Sequence, residues 1–391
     1  MKNLSISLLT LAISGVAAFA QAPTQLVENA KDVVAEAKSL TAPDARQVVY
    51  EIEVTTNTDG KVVVGGATSE QSAHDTLVEK LNTAGIDFID NVVVMPYNKW
   101  AQTRLSAASH RVSGRHAAEM ATQSVMGTPL RVLDDSEDWW RVQTPDGYIA
   151  YVPSSSVIAK TDEEMAAWRA ANRYIVTSLY QIRVYNSETA EGPRDVVTDL
   201  VNGCIVVAVE PGISNGRRHV ELPDGRTGYV DATKIAPIEE WAAQDFDADR
   251  ILNTAYSMEG TPYLWGGTSV KALDCSGLAK VSYYSNAIIL MRDASQQALT
   301  GMRIEAADWR TCEAGDLLFF GNAKTKKVTH VAIYDNNGNY VHSSGRVKRN
   351  SVDPESPDYL STPFLHAVRI NGNEGTTGIV SARNHPWYFT K

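Results

Sequence analysis

TPYLWGGTSVKALDCSGLAKVS, residues 261–282, holds one cysteine, Cys275, at a turn that leads into a helix. Gly266 and Gly267 mark a turn, Lys271 to Leu273 carry the chain onward, and Asp274 is an N-cap residue by type. The helix is expected to start at Cys275, with Leu278, Val281 and Tyr284 spaced to form one apolar stripe. A thiol there faces unpaired backbone N–H groups and the positive end of the helix dipole, both of which favour the thiolate. Such a site takes a cysteine from about 8.5 to between roughly 3.5 and 7.5 when a cation stands beside it. A lone cysteine is more often a small buried hydrophobe, so the rest of the chain has to supply its partners.

Downstream, VTHVAIYDNNGNYVHSSG, residues 328–345, reads as two strands joined around Asn337 and Gly338, with His330 on the first and His342 on the second. Whether the two imidazoles share a face depends on the turn. A three-residue loop of Asn336, Asn337 and Gly338 sets Asp335 opposite Asn339 and His342 opposite Ala332, which makes His330 and His342 diagonal neighbours. A two-residue loop puts them on opposite faces. Cysteine, histidine and a polar orienting residue, in that order, are what thiol catalysis requires.

These residues resemble a known family. DCSG at a helix start, YLWGG ahead of it, the THVAIY strand and the VHSS strand are similar, in order and spacing, to the NlpC family of cell-wall cysteine peptidases, over about Asp247 to Lys391. The resemblance implies a papain-like domain that cleaves peptidoglycan stem peptides. It makes Cys275 the nucleophile, His330 the general base and His342 the orienting residue, with Tyr263, Trp265, Asp274 and Ser276 lining the cleft. It also implies that Asp293, after Arg292, faces the ammonium of the stem's L-Ala; N-capping a helix through Gln297 is the plainer role for that carboxylate. The Glu313–Asp316 turn resembles the family's usual approach to the strand LLFFG.

At 391 residues the chain exceeds one ordinary core, and about 150 residues per domain points to two to four. A net charge of −10 with no long basic run argues against a nucleic-acid partner. An acidic enzyme acting on carboxylate-bearing stems needs local cations, for which Arg292 and the KTKK run Lys324 to Lys327 are candidates. Residues 1–20 read as a secretory signal peptide: Lys2, an apolar middle, and Ala18-Phe19-Ala20 before Gln21. The mature chain is therefore expected to be exported, to the periplasm in a Gram-negative source, with no stable membrane span after signal removal. No cysteine follows the cleavage site to take a lipid anchor. Three cysteines make no disulfide scaffold; Cys204 and Cys312 fall in different expected domains, which favours free thiols over a bond between them.

The expected fold class is α+β: a papain-like catalytic domain, a helix carrying the nucleophile on an antiparallel sheet, preceded by two SH3-like β-barrels and a small α/β N-terminal region. Residues 21–100 form that first region: a polar helical leader, then a hairpin at Asp59-Gly60, a helix capped by Ser72 and a strand, which over about Pro43 to Asn98 resemble the BON-type envelope domains. His74 there is a surface residue. Residues 101–160 have the rhythm of an SH3-like barrel, 161–173 a helix capped by Thr161, and 174–240 a second barrel in which PDGRTGYV repeats the PDGYIAYV of the first. Residues 241–391 are the peptidase domain. The barrels resemble bacterial SH3-like domains that accompany NlpC peptidases. In that subset the first barrel leans over the cleft and helps hold the stem's free amine, which implies Glu119 and Tyr148, with Tyr151 as substitute. His366 and His385 have no partner in this reading.

The function implied is hydrolysis of the γ-D-glutamyl–diamino acid bond, as by γ-D-glutamyl-L-diamino acid endopeptidases of the dipeptidyl-peptidase VI type, in recycling or scavenging of free stems. No cofactor or metal is expected, since no close pair of Cys or His ligands has zinc-site spacing. An endopeptidase on intact wall and a non-catalytic wall-binding protein are the alternatives.

Overall fold

The computed structural model describes residues 23–390, so the signal peptide reading lies outside the described residues. No helix among them is long and apolar enough to cross a membrane. They form two compact units, one from residues 23–43 and 50–94, the other from residues 44–49 and 95–390.

The first unit runs α1 (Pro23–Thr41), β1 (Tyr50–Thr56), β2 (Val62–Thr68), α2 (Gln71–Thr83) and β3 (Phe88–Val94). β1 and β2 form the expected hairpin, while β3 pairs parallel to β2 after the α2 crossover. The helices pack on each other and on the sheet, burying Ala30, Ala37, Leu77 and Leu81. α2 is capped at Glu70, not at Ser72, which lies inside its first turn. His74 is partly buried and bonds Asp90 at 2.8 Å.

The second unit opens with β4 (Trp100–Thr103), β5 (Ala107–Arg111), β6 (Met120–Val125), β7 (Pro129–Asp134), β8 (Trp139–Gln143), β9 (Ile149–Pro153) and β10 (Val157–Lys160). Their sheet order is β10-β4-β7-β8-β9-β5-β6. α3 (Asp162–Ala170) follows, its Thr161 and Glu164 closing a reciprocal capping box. Seven more strands come next: β11 (Arg173–Val176), β12 (Ile182–Tyr185), β13 (Val196–Leu200), β14 (Ile205–Ala208), β15 (Arg217–Glu221), β16 (Thr227–Asp231) and β17 (Ile235–Pro237). Their order, β17-β11-β14-β15-β16-β12-β13, is the first order with every label advanced by one repeat. The repeated PDG turn thus reports a repeated topology.

After α4 (Ile238–Ala242) and α5 (Ala248–Ser257), a short ribbon of β18 (Thr268–Ser269) and β19 (Ala272–Leu273) leads to α6 (Cys275–Tyr284). Then come β20 (Ile288–Leu290), α7 (Ala294–Gln297), β21 (Met302–Glu305), β22 (Leu317–Gly321), β23 (Val328–Tyr334), β24 (Asn339–Ser344), β25 (Arg346–Ser351), β26 (Phe364–Arg369) and β27 (Ile379–Ser381). The main sheet, β21-β26-β22-β23-β24-β25, is antiparallel throughout. α6 lies on it, packing Leu278, Ala279 and Tyr283 against Leu317, Phe319, Val331 and Ile333. The expected stripe of Leu278, Val281 and Tyr284 needs correction: the buried side of α6 is Leu278, Ala279, Ser282 and Tyr283, and the first turn is buried all round. The helix sits between the sheet and neighbouring loops, so one apolar face is not enough.

Candidate active site

The start of α6 is assembled around Asp274. Its Oδ1 accepts from the Gly277 N–H at 2.7 Å, capping the helix, and its Oδ2 accepts from the Gly266 N–H at 3.0 Å. A Cβ on Gly277 would lie 1.9 Å from the Gly267 carbonyl oxygen, so only glycine lets the turn seat on the helix. Gly266 has φ +82, and a Cβ there would meet the Met120 carbonyl of the first barrel at 2.5 Å. The glycines of WGG and DCSG are packing requirements.

Arg292 completes this base. Its Nη2 donates to Asp274 Oδ2 and its Nη1 donates to Ser276 Oγ at 2.8 Å. The reading of Arg292 as a holder of substrate carboxylates is therefore corrected: its side chain is 1% exposed, with its charge spent on Asp274. Asp274 and Ser276 lie buried beside Cys275 with it. Tyr263 is half-buried, and its hydroxyl is pushed up by burial first and then by Cys275 and Asp274 nearby. Trp265 is exposed at the rim.

Cys275 is 8% exposed. Burial pushes its thiol up to about 11, the Asp274 carboxylate adds to this, and the N–H groups of Val331 and Ser276 and the charge of Arg292 only partly offset it. The expected low pKa is thus corrected. A helix start favours a thiolate only where water or a free cation helps to carry the charge, and here Arg292 is already neutralised. The Val331 N–H donates towards the sulfur, which places Cys275 at the backbone of the residue that follows His330.

The three-residue loop is the one that forms. Asp335 N–H donates to the Asn339 carbonyl at 2.9 Å, Asn337 and Gly338 take positive φ, and Tyr334 pairs with Tyr340. His330 Nε2 consequently lies 2.7 Å from His342 Nδ1. A further residue, missed in the sequence, extends the chain: His342 Nε2 lies 3.0 Å from Asn350 Oδ1, while Asn350 Nδ2 donates to the Asp358 carbonyl at 3.0 Å. That orientation makes Asn350 Oδ1 an acceptor, so His342 carries its proton on Nε2 and accepts at Nδ1 from His330 Nε2–H. The lone pair of His330 is left on Nδ1. Burial lowers His330 to about 3, with His342 and Lys348 adding to the effect, and lowers His342 to about 4. Burial thus pushes both Cys275 and His330 towards their neutral forms.

A second cluster surrounds Asp293, which occupies the N-cap position of α7. The Tyr148 hydroxyl, from the first barrel, lies 3.3 Å from Asp293 Oδ2. Burial and then Asp293 push that hydroxyl up, so it is a donor. The same Oδ2 accepts from Arg46 Nη1 at 2.7 Å, and Arg46 was not singled out in the sequence. Glu119 is exposed, one residue before Met120, and Tyr151 lies under the Arg141 guanidinium. The Lys324–Lys327 run is an exposed turn between β22 and β23. His366 bonds the Ala298 carbonyl at 3.2 Å and stacks on Phe319; His385 bonds the Pro145 carbonyl at 2.9 Å. All three cysteines are free. Among the described residues no group of three His, Cys, Asp or Glu side chains is placed to hold a metal ion.

Residues 260–369 match the NlpC/P60 family, and residues 111–157 match the bacterial dipeptidyl-peptidase Sh3 domain. The probable endopeptidase NlpC of Escherichia coli (strain K12) is 36% identical over 117 residues, 29% of this chain and 72% of that protein. The chain belongs to the NlpC/P60 family. It is a cysteine peptidase of that family, preceded by SH3-like barrels. Dipeptidyl-peptidase 6 of Lysinibacillus sphaericus is 28% identical over 253 residues, 62% of this chain and 88% of that protein. The γ-D-glutamyl-L-lysine dipeptidyl-peptidase of Bacillus cereus is 27% identical over 278 residues, 68% of this chain and 80% of that one. A solved NlpC/P60 protein from Bacillus cereus shares the fold with a TM-score of 0.58 at 21% identity, over 69% of this chain and 99% of that chain.

Proposed function

We propose that this peptidase hydrolyses the γ-D-glutamyl–diamino acid bond of peptidoglycan stem peptides whose L-Ala amine is free, outside the cytoplasm, in recycling or scavenging of released stems. The observation that carries the reading is the meeting of Tyr148 and Asp293 on one oxygen, a donor from the first barrel and a carboxylate from the peptidase domain. Arg292 links that carboxylate to the base of the nucleophile, 3.9 Å from Asp293 and bonded to Asp274. An ammonium held there receives charge-assisted hydrogen bonding. The name of the Bacillus cereus relative, a γ-D-glutamyl-L-lysine dipeptidyl-peptidase, supports the same bond, and both relatives are named for releasing a dipeptide. In this reading residues 101–160 and 174–240 are the barrels, 241–391 is the peptidase domain, and residues 1–20 direct export.

Cys275 Sγ attacks the γ-carbonyl as its proton passes to His330 Nδ1. With the thiol near 11 and the imidazole near 3, transfer accompanies attack and no ion pair waits beforehand. The oxyanion forms against the Cys275 N–H, free at the first helical position, and the Tyr263 hydroxyl. Collapse breaks the amide bond, and His330 returns its proton to the leaving amine. Water, deprotonated by His330, then cleaves the thioester and releases L-Ala-γ-D-Glu. His342, fixed by Asn350, keeps His330 in the productive tautomer.

Mass spectrometry of products from a defined stem, with free and with acetylated L-Ala, tests this. Cleavage of the γ-glutamyl bond in the free-amine stem, lost in Cys275→Ala and retained in Cys312→Ala, is expected. Comparable rates on both stems would overturn the amine-dependent reading.

A further inference from the structure

The carboxylate proposed to take the substrate's ammonium is already met by a cation of the chain itself. Arg46 Nη1 lies 2.7 Å from Asp293 Oδ2 and 3.1 Å from Ser295 Oγ. Its Nε and Nη2 donate to Asp44 at 2.8 and 2.7 Å, and Gln296 Nε2 donates to the same Asp44 carboxylate at 2.9 Å. The backbone around it is anchored on the first barrel. Ile149 N–H donates to the Arg46 carbonyl at 2.7 Å, one residue from Tyr148, and Gln143 Nε2 donates to the Gln47 carbonyl at 3.0 Å. The Arg46 and Asp293 side chains remain 38% and 28% exposed, so a solute can reach the pair.

A guanidinium on this oxygen is the chemical counterpart of a primary ammonium. It has the same charge, the same acceptor and the same Tyr148 hydroxyl alongside. We propose that Arg46 is a specificity-determining occupant of the ammonium subsite, a cation that a free-amine stem peptide displaces before Asp293 and Tyr148 hold it. The inference rests on the amine-holding role proposed for Asp293. Asp44 retains the displaced guanidinium, since it already takes two of its three donor groups. A stem with an acylated N-terminus has no cation to offer and gains nothing when Arg46 leaves.

The test is a comparison of the full chain with Arg46→Ala on a free-amine L-Ala-γ-D-Glu-diamino acid peptide and on its N-acetyl form. Arg46→Ala is expected to lower KM for the free-amine peptide roughly 2- to 5-fold, the range a partly exposed ion pair commands. The kcat for that peptide and the kcat/KM for the acetylated one should stay as they were. An unchanged or raised KM for the free-amine peptide overturns the proposal. Should Arg46→Ala fold poorly, calorimetric Kd values in a Cys275→Ala background, with and without Arg46→Gln, make the same comparison: tighter binding supports the occupant, equal or weaker binding overturns it. Asp293→Asn separates the two layers. If it erases the preference for a free amine while Arg46→Ala changes nothing, the amine site stands and the occupant falls. If it leaves that preference intact, the amine site falls and the occupant with it.

Discussion

The two barrels share one strand order and one turn, yet they use the turn differently. In the first, PDGYIAYV places Asp146 in a buried ion pair with Lys280 of α6 and sends Tyr148 to Asp293. In the second, PDGRTGYV places Asp224 beside Arg226 of its own turn, at 2.9 Å, and Arg104, at 3.3 Å. The aspartate is common to both. What differs is whether α6 stands opposite, and whether the residue two positions on is tyrosine or arginine. Duplication supplied a stable frame, and a few side chains in one copy supplied the connection to the site.

The largest effect that can break this contrast is at the shared aspartate. Asp146→Ala leaves Lys280 buried without its carboxylate, and breaking a buried pair in this way costs about 3–5 kcal/mol. Asp224 is itself 7% exposed, but Asp224→Ala leaves behind Arg226 and Arg104, which are 42% and 39% exposed and can be hydrated, so the loss should stay near about 1 kcal/mol. Parallel denaturation curves of the two variants check this; equal losses would end the contrast.

Next comes pH. His110 on β5 is fully buried and held to about 4 by burial, with Asp146 opposing, and it bonds Ser124 Oγ at 2.7 Å. Through Arg111 opposite Tyr151 and Tyr185 opposite Tyr229, its position in the second barrel is filled by Val184. The folded value lies below the ordinary 6.5, so the unfolded chain takes up the proton first. Stability is full above about 6.5 and falls as pH drops towards 4, on the order of 3 kcal/mol from this group. Melting temperature measured against pH should show the acid loss, and His110→Val should flatten part of it, leaving the share of His330, His342, His366 and His385, which burial also lowers.

Smaller again is the effect at the substrate. Tyr148→Phe removes one hydroxyl from Asp293 and should raise KM for a free-amine stem by about 3- to 10-fold, with the acetylated stem unaffected. The matched Arg226→Ala should leave KM unchanged and cost about 1 kcal/mol of stability through its ion pair with Asp224. A KM effect of Arg226→Ala would show that the second barrel also reaches substrate.

What the sequence made legible was local. Asp274 capping Cys275, the DNNG loop that brings His330 to His342, and the paired PDG turns each lie within a short window, where spacing and residue type suffice. Asn350 was within reach: β24 and β25 turn at Gly345 and pair His342 with Lys348, so Asn350 shares the face of His342. Arg46 was not, because 247 residues separate it from Asp293 and nothing local marks it. The thiol was misjudged for another reason. A helix start is visible in DCSG, but burial, and an Arg292 already paired with Asp274, are products of tertiary packing.

Residues 44–49 belong to the second unit, although the chain before and after them folds into the first. Arg46 is therefore covalently tethered on both sides. An occupant held this way has an effective concentration set by chain geometry. Diluting the enzyme cannot release it; the substrate's own abundance, or salt that screens the partly exposed pair, shifts the competition.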